Sequence, residues 1–301
     1  MAEKPVVLIV GLGLLGGSLG LSLADKGVLR LGWSRRAETC QQALDAGAID
    51  ESASSLEELL PRADLIVLAM PIPQIISFLE TFPAERCKPG CIVTDLGSTK
   101  SSILAAAERN PHVRFVGSHP MAGTEKSGIA NAFAGLYDGA DVFVVPPEKG
   151  DPEGVRILRE FWEMLGTHVT EICAKEHDLL VANTSHVLHV VASALALSIL
   201  DAPDQRGRDL RFAGCATGFR DTSRIASSNP VMWREIIGSN REAVLRAIDG
   251  FEACFQEFRK LIDAGNWEEF ETRFAAGKVL RDSWLEYKKN ASSRRGNAPQ
   301  K

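Results

Sequence analysis

One feature near the start of the chain restricts its fold more than any other. The apolar run Pro5-Val6-Val7-Leu8-Ile9-Val10 leads directly into Gly11-Leu12-Gly13-Leu14-Leu15-Gly16. An unbroken Val/Leu/Ile run reads as a strand buried on both faces, and G-x-G-x-x-G after it reads as the turn into a helix. Gly11 permits the tight turn, Gly13 lets the backbone approach a pyrophosphate, and Gly16 lets the helix lie close to the sheet. The motif opens a helix, and its N-terminus, with Leu14 and Leu15 in the turn, offers free N–H groups and a partial positive charge to phosphate. The bland alternative is a tight βα turn that holds no ligand.

The same rhythm continues for half the chain. Strand candidates are Pro5–Val10, Arg30–Trp33, Asp64–Met70, Cys91–Asp95, Arg114–Gly117 and Asp141–Val145, with helical stretches such as Gly16–Lys26 and Ser98–Glu108 between them. This predicts an α/β fold: a Rossmann-like, doubly wound parallel sheet. From about Ala174 the pattern becomes helical, with a long apolar-rich stretch over Lys175–Leu200 and further helices over Asn240–Ala264 and Trp267–Tyr287. Val244, Ile248, Phe251, Phe255, Phe258 and Ile262 recur at helical spacing. The expected organisation is a dinucleotide-binding domain over 1–172, an all-α C-terminal domain over 173–288, and a polar, disordered tail over 289–301.

The 301 residues are 45% apolar and 24% charged with net charge −5, which argues against a nucleic-acid partner. The N-terminus lacks the pattern of a signal peptide, and no apolar run approaches the roughly 20 residues that cross a bilayer. A cytoplasmic protein with reduced thiols and no membrane partner is expected. Cys87 and Cys91 lie close but lack the second pair of a zinc site, and nothing completes a site around His186 and His189, so no metal is expected.

The end of the second strand bears on cofactor choice. A carboxylate there binds the ribose 2′-hydroxyl of NAD. This chain has Trp33-Ser34-Arg35-Arg36 and no carboxylate before Glu38. A hydroxyl followed by two guanidinium groups suits a 2′-phosphate, so NADP is expected, with NAD as the other candidate. The alternative is that Arg35 and Arg36 belong to a solvated loop.

A second chemical segment is Gly117-Ser118-His119-Pro120-Met121-Ala122-Gly123-Thr124-Glu125. It follows the fifth strand candidate, and ligands bind at the carboxyl ends of strands in this architecture. Pro120 biases His119 toward an extended conformation.

Five segments, GLGLLGGSLG, TDLGSTK, GSHPMAGTEKSG, HDLLVANTSHVLH and GFRDTSRIASSNPVMWRE, together resemble the prephenate/arogenate dehydrogenase family, in the family's order. The resemblance implies a Rossmann domain followed by a helical domain that forms a homodimer, with an active site in the cleft between them. It implies NADP- or NAD-dependent oxidative decarboxylation of prephenate to 4-hydroxyphenylpyruvate, or of arogenate to tyrosine. His119 then resembles the catalytic base and Ser98 the serine bridging ring hydroxyl and cofactor, although Ser98 also suits a helix N-cap. Arg224 resembles the arginine that grips a substrate carboxylate; without the family it reads as an ion-pair partner of Asp221. Ser185 and His189, four apart on one helical face, resemble pocket-lining residues. The family commonly has Pro before this His, where Leu188 stands here. Thr124, Glu125 and Trp233 resemble pocket residues, with Glu125 an ionic partner for Arg224 and Trp233 equally suited to the core. Gly218 leans toward prephenate, and the NADP features lean toward arogenate. Two rivals stand beside this reading: a hydroxyacid dehydrogenase of similar layout, and a non-catalytic NADP sensor.

Overall fold

The computed structural model describes residues 4–124 and 126–296. Four short strands, β1 (Val6–Val10), β2 (Leu29–Trp33), β3 (Leu65–Leu68) and β4 (Ile92–Asp95), form a parallel sheet in the order β2-β1-β3-β4. Helices α1 (Leu14–Ser22), α2 (Ala37–Asp45), α3 (Ile72–Glu80) and α4 (Ser101–Glu108) lie along the chain between and after these strands.

Successive residues of each strand bury into opposite layers, as the two-residue repeat of a strand requires. Val6, Leu8 and Val10 enter one apolar cluster with Ile66, Leu68 and Val93. Val7 and Ile9 enter the other with Leu65, Val67 and Ile92. Burial of each such side chain contributes about 1.5–3 kcal/mol relative to exposure. The continuous apolar runs of the sequence are therefore sheet strands covered on both faces.

The fifth and sixth strand candidates depart from the parallel pattern. Phe115 makes one parallel bridge to Val93. The chain then forms β5 (Gly117–Pro120), antiparallel to β6 (Asp141–Val145), and β6 runs parallel to β7 (His168–Glu171). This gives a second sheet of order β5-β6-β7. Pro120 is accommodated because β5 is an edge strand of that sheet, where a missing N–H costs no central hydrogen bond. Helix α5 (Pro152–Glu163) connects β6 to β7. Strand β7 is not among the strand candidates, because its four residues, His-Val-Thr-Glu, are too few and too polar for an apolar-run signal.

Helix then follows helix: α6 (Ala174–Val181), a π-helical turn (Ala182–His186), α7 (Val187–Leu200), α8 (Gln205–Gly214), α9 (Thr217–Ser223), a 3-10 turn (Arg224–Ser227), α10 (Pro230–Ser239), α11 (Arg241–Asp263) and α12 (Trp267–Gly296). The helical run Ala174–Leu200 departs from one expectation: it is 27 residues long and holds an 18-residue stretch of mean hydropathy 1.5, long and apolar enough by length and composition to cross a membrane. Asn183, Thr184, Ser185, His186 and His189 interrupt the apolar run, but from Leu179 to Leu200 there is no Asp, Glu, Lys or Arg. The polar residues His177, Asp178 and His186 of this run are buried in hydrogen bonds to other elements.

Contacts gather the described residues up to Val244 into one compact unit and those from Leu245 onward into a second. The helices from α6 to α10 thus belong by contact to the same unit as the sheets. In the second unit, Gly265 turns the chain at φ 64° between α11 and α12. Phe258 there meets Phe270 edge to face, and Arg273 pairs with Glu257. Phe251, Phe255 and Ile262, members of the regular apolar stripe, are exposed, as are Phe274, Val279, Leu280 and Trp284. Helix α12 runs through Gly296, well into the polar stretch from residue 289 that is expected from composition to be a disordered tail.

Candidate active site

Geometry at the first βα turn separates the roles of its glycines. Gly11 sits at φ 101°, and a Cβ there would stand 2.5 Å from the carbonyl oxygen of Ala69. A Cβ on Gly16 would stand 2.0 Å from the carbonyl oxygen of Gly11. These two positions are closed by the protein itself. Gly13, the N-cap of α1, has nothing within 4 Å of its imagined Cβ. Open space in front of a helix N-terminus, beside Leu14 and Leu15, fits a pyrophosphate approaching the backbone.

The rim beyond β2 carries Ser34, Arg35 and Arg36. The Ser34 N–H donates to the Cys40 thiol (3.2 Å), which holds the Ser34 main chain against α2. Arg35 and Arg36 are exposed, and the Arg35 guanidinium reaches Gln74 Oε1 at 3.4 Å. Glu38 lies in the first turn of α2 and is exposed, so no carboxylate occupies the strand end.

At the carboxyl end of β4 the chain places a fully buried ion pair. Lys100 Nζ donates to Asp95 Oδ2 and, at 2.9 Å, to the Ser118 carbonyl. Asp95 also accepts from Gly97 N–H (2.7 Å) and Ser118 N–H (3.2 Å). Burial pushes Lys100 down and Asp95 up, and each charge resists the shift of the other. The Ser118 hydroxyl donates to the Asp95 carbonyl at 2.7 Å. Together these bonds hold the first half of β5 against the end of β4, which places the next residue, His119.

His119 is buried in β5 opposite Phe143. Burial pushes its pKa well below the usual histidine value, with further depression from His177, Lys100 and His186. Its Nδ1 lies 2.9 Å from His177 Nε2, and His177 Nδ1 lies 2.9 Å from Asp178 Oδ1. Asp178 in turn accepts the Lys100 N–H (2.8 Å) and the Ser101 N–H (2.9 Å) at the start of α4. Burial opposes the Asp178 charge, yet the hydrogen bonds from His177, Ser101 and Lys100 hold its carboxyl below the usual range. This carboxylate from α6 caps α4, so Ser98, half-buried in the preceding connection, is not the capping residue.

The π turn re-aims the next side chains. His186 is buried, accepts from Asn240 Nδ2 (3.3 Å), and is pushed down to about 4 chiefly by burial. His189 Nδ1 donates to the Ser185 carbonyl at 2.9 Å, which leaves Nε2 as its acceptor nitrogen. Trp233 stacks on His189 with ring centroids 3.6 Å apart and meets His186 edge-on. Its indole N–H is buried without a partner among the described residues. Single π turns recur at functional sites because they turn side chains out of α-helical register.

Arg224 is exposed at the start of the 3-10 turn, and its charge helps depress His189, after burial. The ion pair with Asp221 that the sequence offered is not formed: Asp221 pairs with Arg220 at 3.0 Å. Thr124 is exposed, and its hydroxyl accepts the Lys126 N–H at 3.2 Å. Glu125 lies outside the described residues. The fold thus groups His189, Trp233 and Arg224, and separately sets His119 beside His177, which sequence reasoning does not single out. Asp95, Lys100 and Asp178 escape it too. An adjacent His-Asp pair opening an otherwise uncharged helical stretch was the available signal, because a buried charge demands a partner.

Residues 19–171 match the family described as "Prephenate dehydrogenase, nucleotide-binding domain", and residues 173–276 match "Prephenate dehydrogenase, dimerization domain". The chain belongs to the prephenate dehydrogenase family. It is 33% identical to the prephenate dehydrogenase of Bacillus subtilis over 93% of this chain and 75% of that one. The solved prephenate dehydrogenase of A. aeolicus, in complex with hydroxyphenyl propionate and NAD+, superposes with a TM-score of 0.86. It is 32% identical over 94% of this chain and 99% of that one. Synechocystis arogenate dehydrogenase gives 0.82 at 31% identity, over 93% and 99%.

Proposed function

We propose that this chain catalyses the NADP-dependent oxidative decarboxylation of prephenate or arogenate in tyrosine biosynthesis, with His119 as the proton acceptor. The observation that carries the reading is the buried, charge-averse imidazole of His119 at the carboxyl end of β5 in a chain of this family. A bound nicotinamide dinucleotide supplies the hydride acceptor, a chemistry that belongs to the cofactor. Leu14 and Leu15 offer helix N-terminal N–H groups to its pyrophosphate beside the open Gly13, while Gly11 and Gly16 keep the turn tight. Ser34, Arg35 and Arg36 meet a 2′-phosphate.

In the reaction, the ring carbon bearing the hydroxyl loses hydride as the hydroxyl proton passes to neutral His119; the ring carboxylate then departs as CO2, its bonding pair moves through the ring to that oxygen, and the oxygen takes the proton back from His119. Aromatisation of the ring drives the step forward. A low pKa keeps His119 able to accept a proton at neutral pH. Ser98 hydrogen-bonds the ring hydroxyl, and Arg224, without a carboxylate partner among the described residues, takes the side-chain carboxylate. His189 with its acceptor Nε2, Ser185, Trp233, Thr124 and Glu125 line the substrate.

The working division is a cofactor domain over 1–172 and a helical substrate and dimerisation domain over 173–288. The exposed apolar stripe of α11 and α12 belongs in a homodimer interface, since an uncovered face of that kind marks an association surface. Replacing His119 by Asn tests the central assignment. The expected result is a fall in kcat of roughly 10²–10⁴-fold with cofactor affinity kept. A wild-type rate in that variant removes His119 from the mechanism.

A further inference from the structure

His119 needs more than a low pKa to act as a base: the nitrogen that faces its substrate must be the one without a proton. A neutral imidazole carries its proton on one nitrogen only, and the partner of the other nitrogen decides which. The neighbours of His119 settle that choice in three steps.

Asp178 is ionised and accepts two backbone N–H groups at the start of α4, from Lys100 and Ser101. An ionised carboxylate is an acceptor only, so the 2.9 Å contact with His177 requires the proton on His177 Nδ1. Burial lowers the His177 pKa and keeps the ring neutral, so its Nε2 is a bare acceptor. The 2.9 Å contact between His177 Nε2 and His119 Nδ1 then requires the proton on His119 Nδ1. His119 Nε2 is left with its lone pair.

We propose that Asp178 and His177 are positioning residues, a carboxylate–imidazole relay from α6 that fixes His119 in the tautomer whose Nε2 accepts the substrate proton. This rests on the reading of His119 as proton acceptor. The arrangement also rewards the proton once it has moved. Imidazolium at His119 keeps its Nδ1–H directed at His177, with the Asp178 charge behind it, as an orienting carboxylate does in a hydrolase triad.

The other titratable groups near His119 do not compete for this role. Lys100, from the β4–α4 connection, is committed to Asp95 and the Ser118 carbonyl. His186, from the π turn, is committed to Asn240. Phe143 of β6 meets His177 edge-on, with ring centroids 5.7 Å apart. The relay also explains why the buried Asp178 is held in place by α4. Its anchor is the helix start that comes just after Ser98, so the residue expected to touch the ring hydroxyl and the relay behind the base share one support.

Asp178→Asn removes the anionic acceptor on which the relay depends. Oδ1 meets both the Lys100 N–H and His177 Nδ1, and Oδ2 accepts from Ser101, so an amide in this place has one acceptor too few and no charge to stabilise imidazolium at His119. The expected fall in kcat is roughly 10²–10⁴-fold with cofactor Kd kept. Loss of the anionic partner also moves the acid limb of the kcat profile to lower pH. His177→Gln can still accept from His119 and donate to Asp178, and is expected to stay within roughly tenfold of the wild-type kcat, whereas His177→Phe falls with Asp178→Asn.

The test combines these kinetics with nitrogen-15 NMR of the histidine rings in the full chain. The proposal expects a proton on His119 Nδ1 in the wild type and loss of that preference in His177→Phe, which offers His119 Nδ1 no acceptor. A wild-type His119 protonated on Nε2 overturns it. So does a common loss of stability, cofactor affinity and rate in Asp178→Asn, His177→Gln and His177→Phe with no shift of the pH limb, the pattern of a purely structural role. An inactive His119→Asn beside a fully active Asp178→Asn removes the relay alone. A fully active His119→Asn removes the reading on which the relay rests, and the relay with it.

Discussion

Gly13→Ala and Gly16→Ala, made side by side, separate the part of the G-x-G-x-x-G turn that folds the domain from the part that holds the cofactor. Gly16 has no room: an added Cβ would lie 2.0 Å from the Gly11 carbonyl oxygen and 3.0 Å from Ala69 Cβ. The first clash is with backbone, which has no rotamer to escape into. Overpacking of this kind costs about 1–3 kcal/mol. At about 2–4 °C per kcal/mol for a chain of this size, the midpoint should fall by roughly 2–12 °C. Gly13 differs in both respects. Its backbone, at φ −83° and ψ −155°, is extended, and no atom lies within 4 Å of the added Cβ. Stability should stay within about 1 kcal/mol of wild type. The methyl group would nevertheless fill the space in front of α1. Loss of one charge-assisted contact to phosphate costs about 1.5–3 kcal/mol, or roughly 10–150-fold in Kd. Thermal melting and a fluorescence titration with NADP measure both quantities. Equal melting losses in the two variants, or an unchanged Kd in Gly13→Ala, would refute the assignment.

Two more outcomes are expected at named residues. Ser34→Asp places a carboxylate where a 2′-phosphate is expected and should lower the NADP-to-NAD ratio of kcat/KM by at least about tenfold; an unchanged ratio would place those contacts elsewhere. His186 is neutral when folded, with its pKa pushed to about 4, and protonates at about 6.5 when unfolded. Between those values only the unfolded state binds the proton, so stability is full above pH 6.5 and is lost as pH falls toward 4, by on the order of 3 kcal/mol. Urea unfolding at pH 7 and pH 4.5 should show a smaller acid loss in His186→Gln than in wild type; equal losses would contradict it.

Much of the fold was legible because it depends on local pattern. The runs Val6–Val10 and Leu65–Leu68 lack alternation since both of their faces are covered, and the glycine turn sits where backbone meets backbone. The chain beyond β4 was less legible. The turn of β5 away from the parallel sheet depends on β6 and β7, and β7 carries too little apolar signal of its own. Among site residues, His119 stood out through Pro120 and its place after a strand. His177 and Asp178 did not, because their partners, His119 Nδ1 and the start of α4, lie 58 and 78 residues away in the chain. Helical spacing offered Asp221 to Arg224, but Asp221 pairs with its neighbour Arg220 instead. The stripe over Phe251, Phe255 and Ile262 was legible as a period, while its exposure emerges only in three dimensions.

The most direct measurement is cofactor reduction by purified protein, with prephenate and arogenate each crossed against NAD and NADP, and CO2 release monitored in parallel. Turnover is expected with at least one of the two substrates, with one CO2 per reduced cofactor and a higher kcat/KM with NADP than with NAD. Silence in all four combinations, from protein shown to bind NADP, would contradict it.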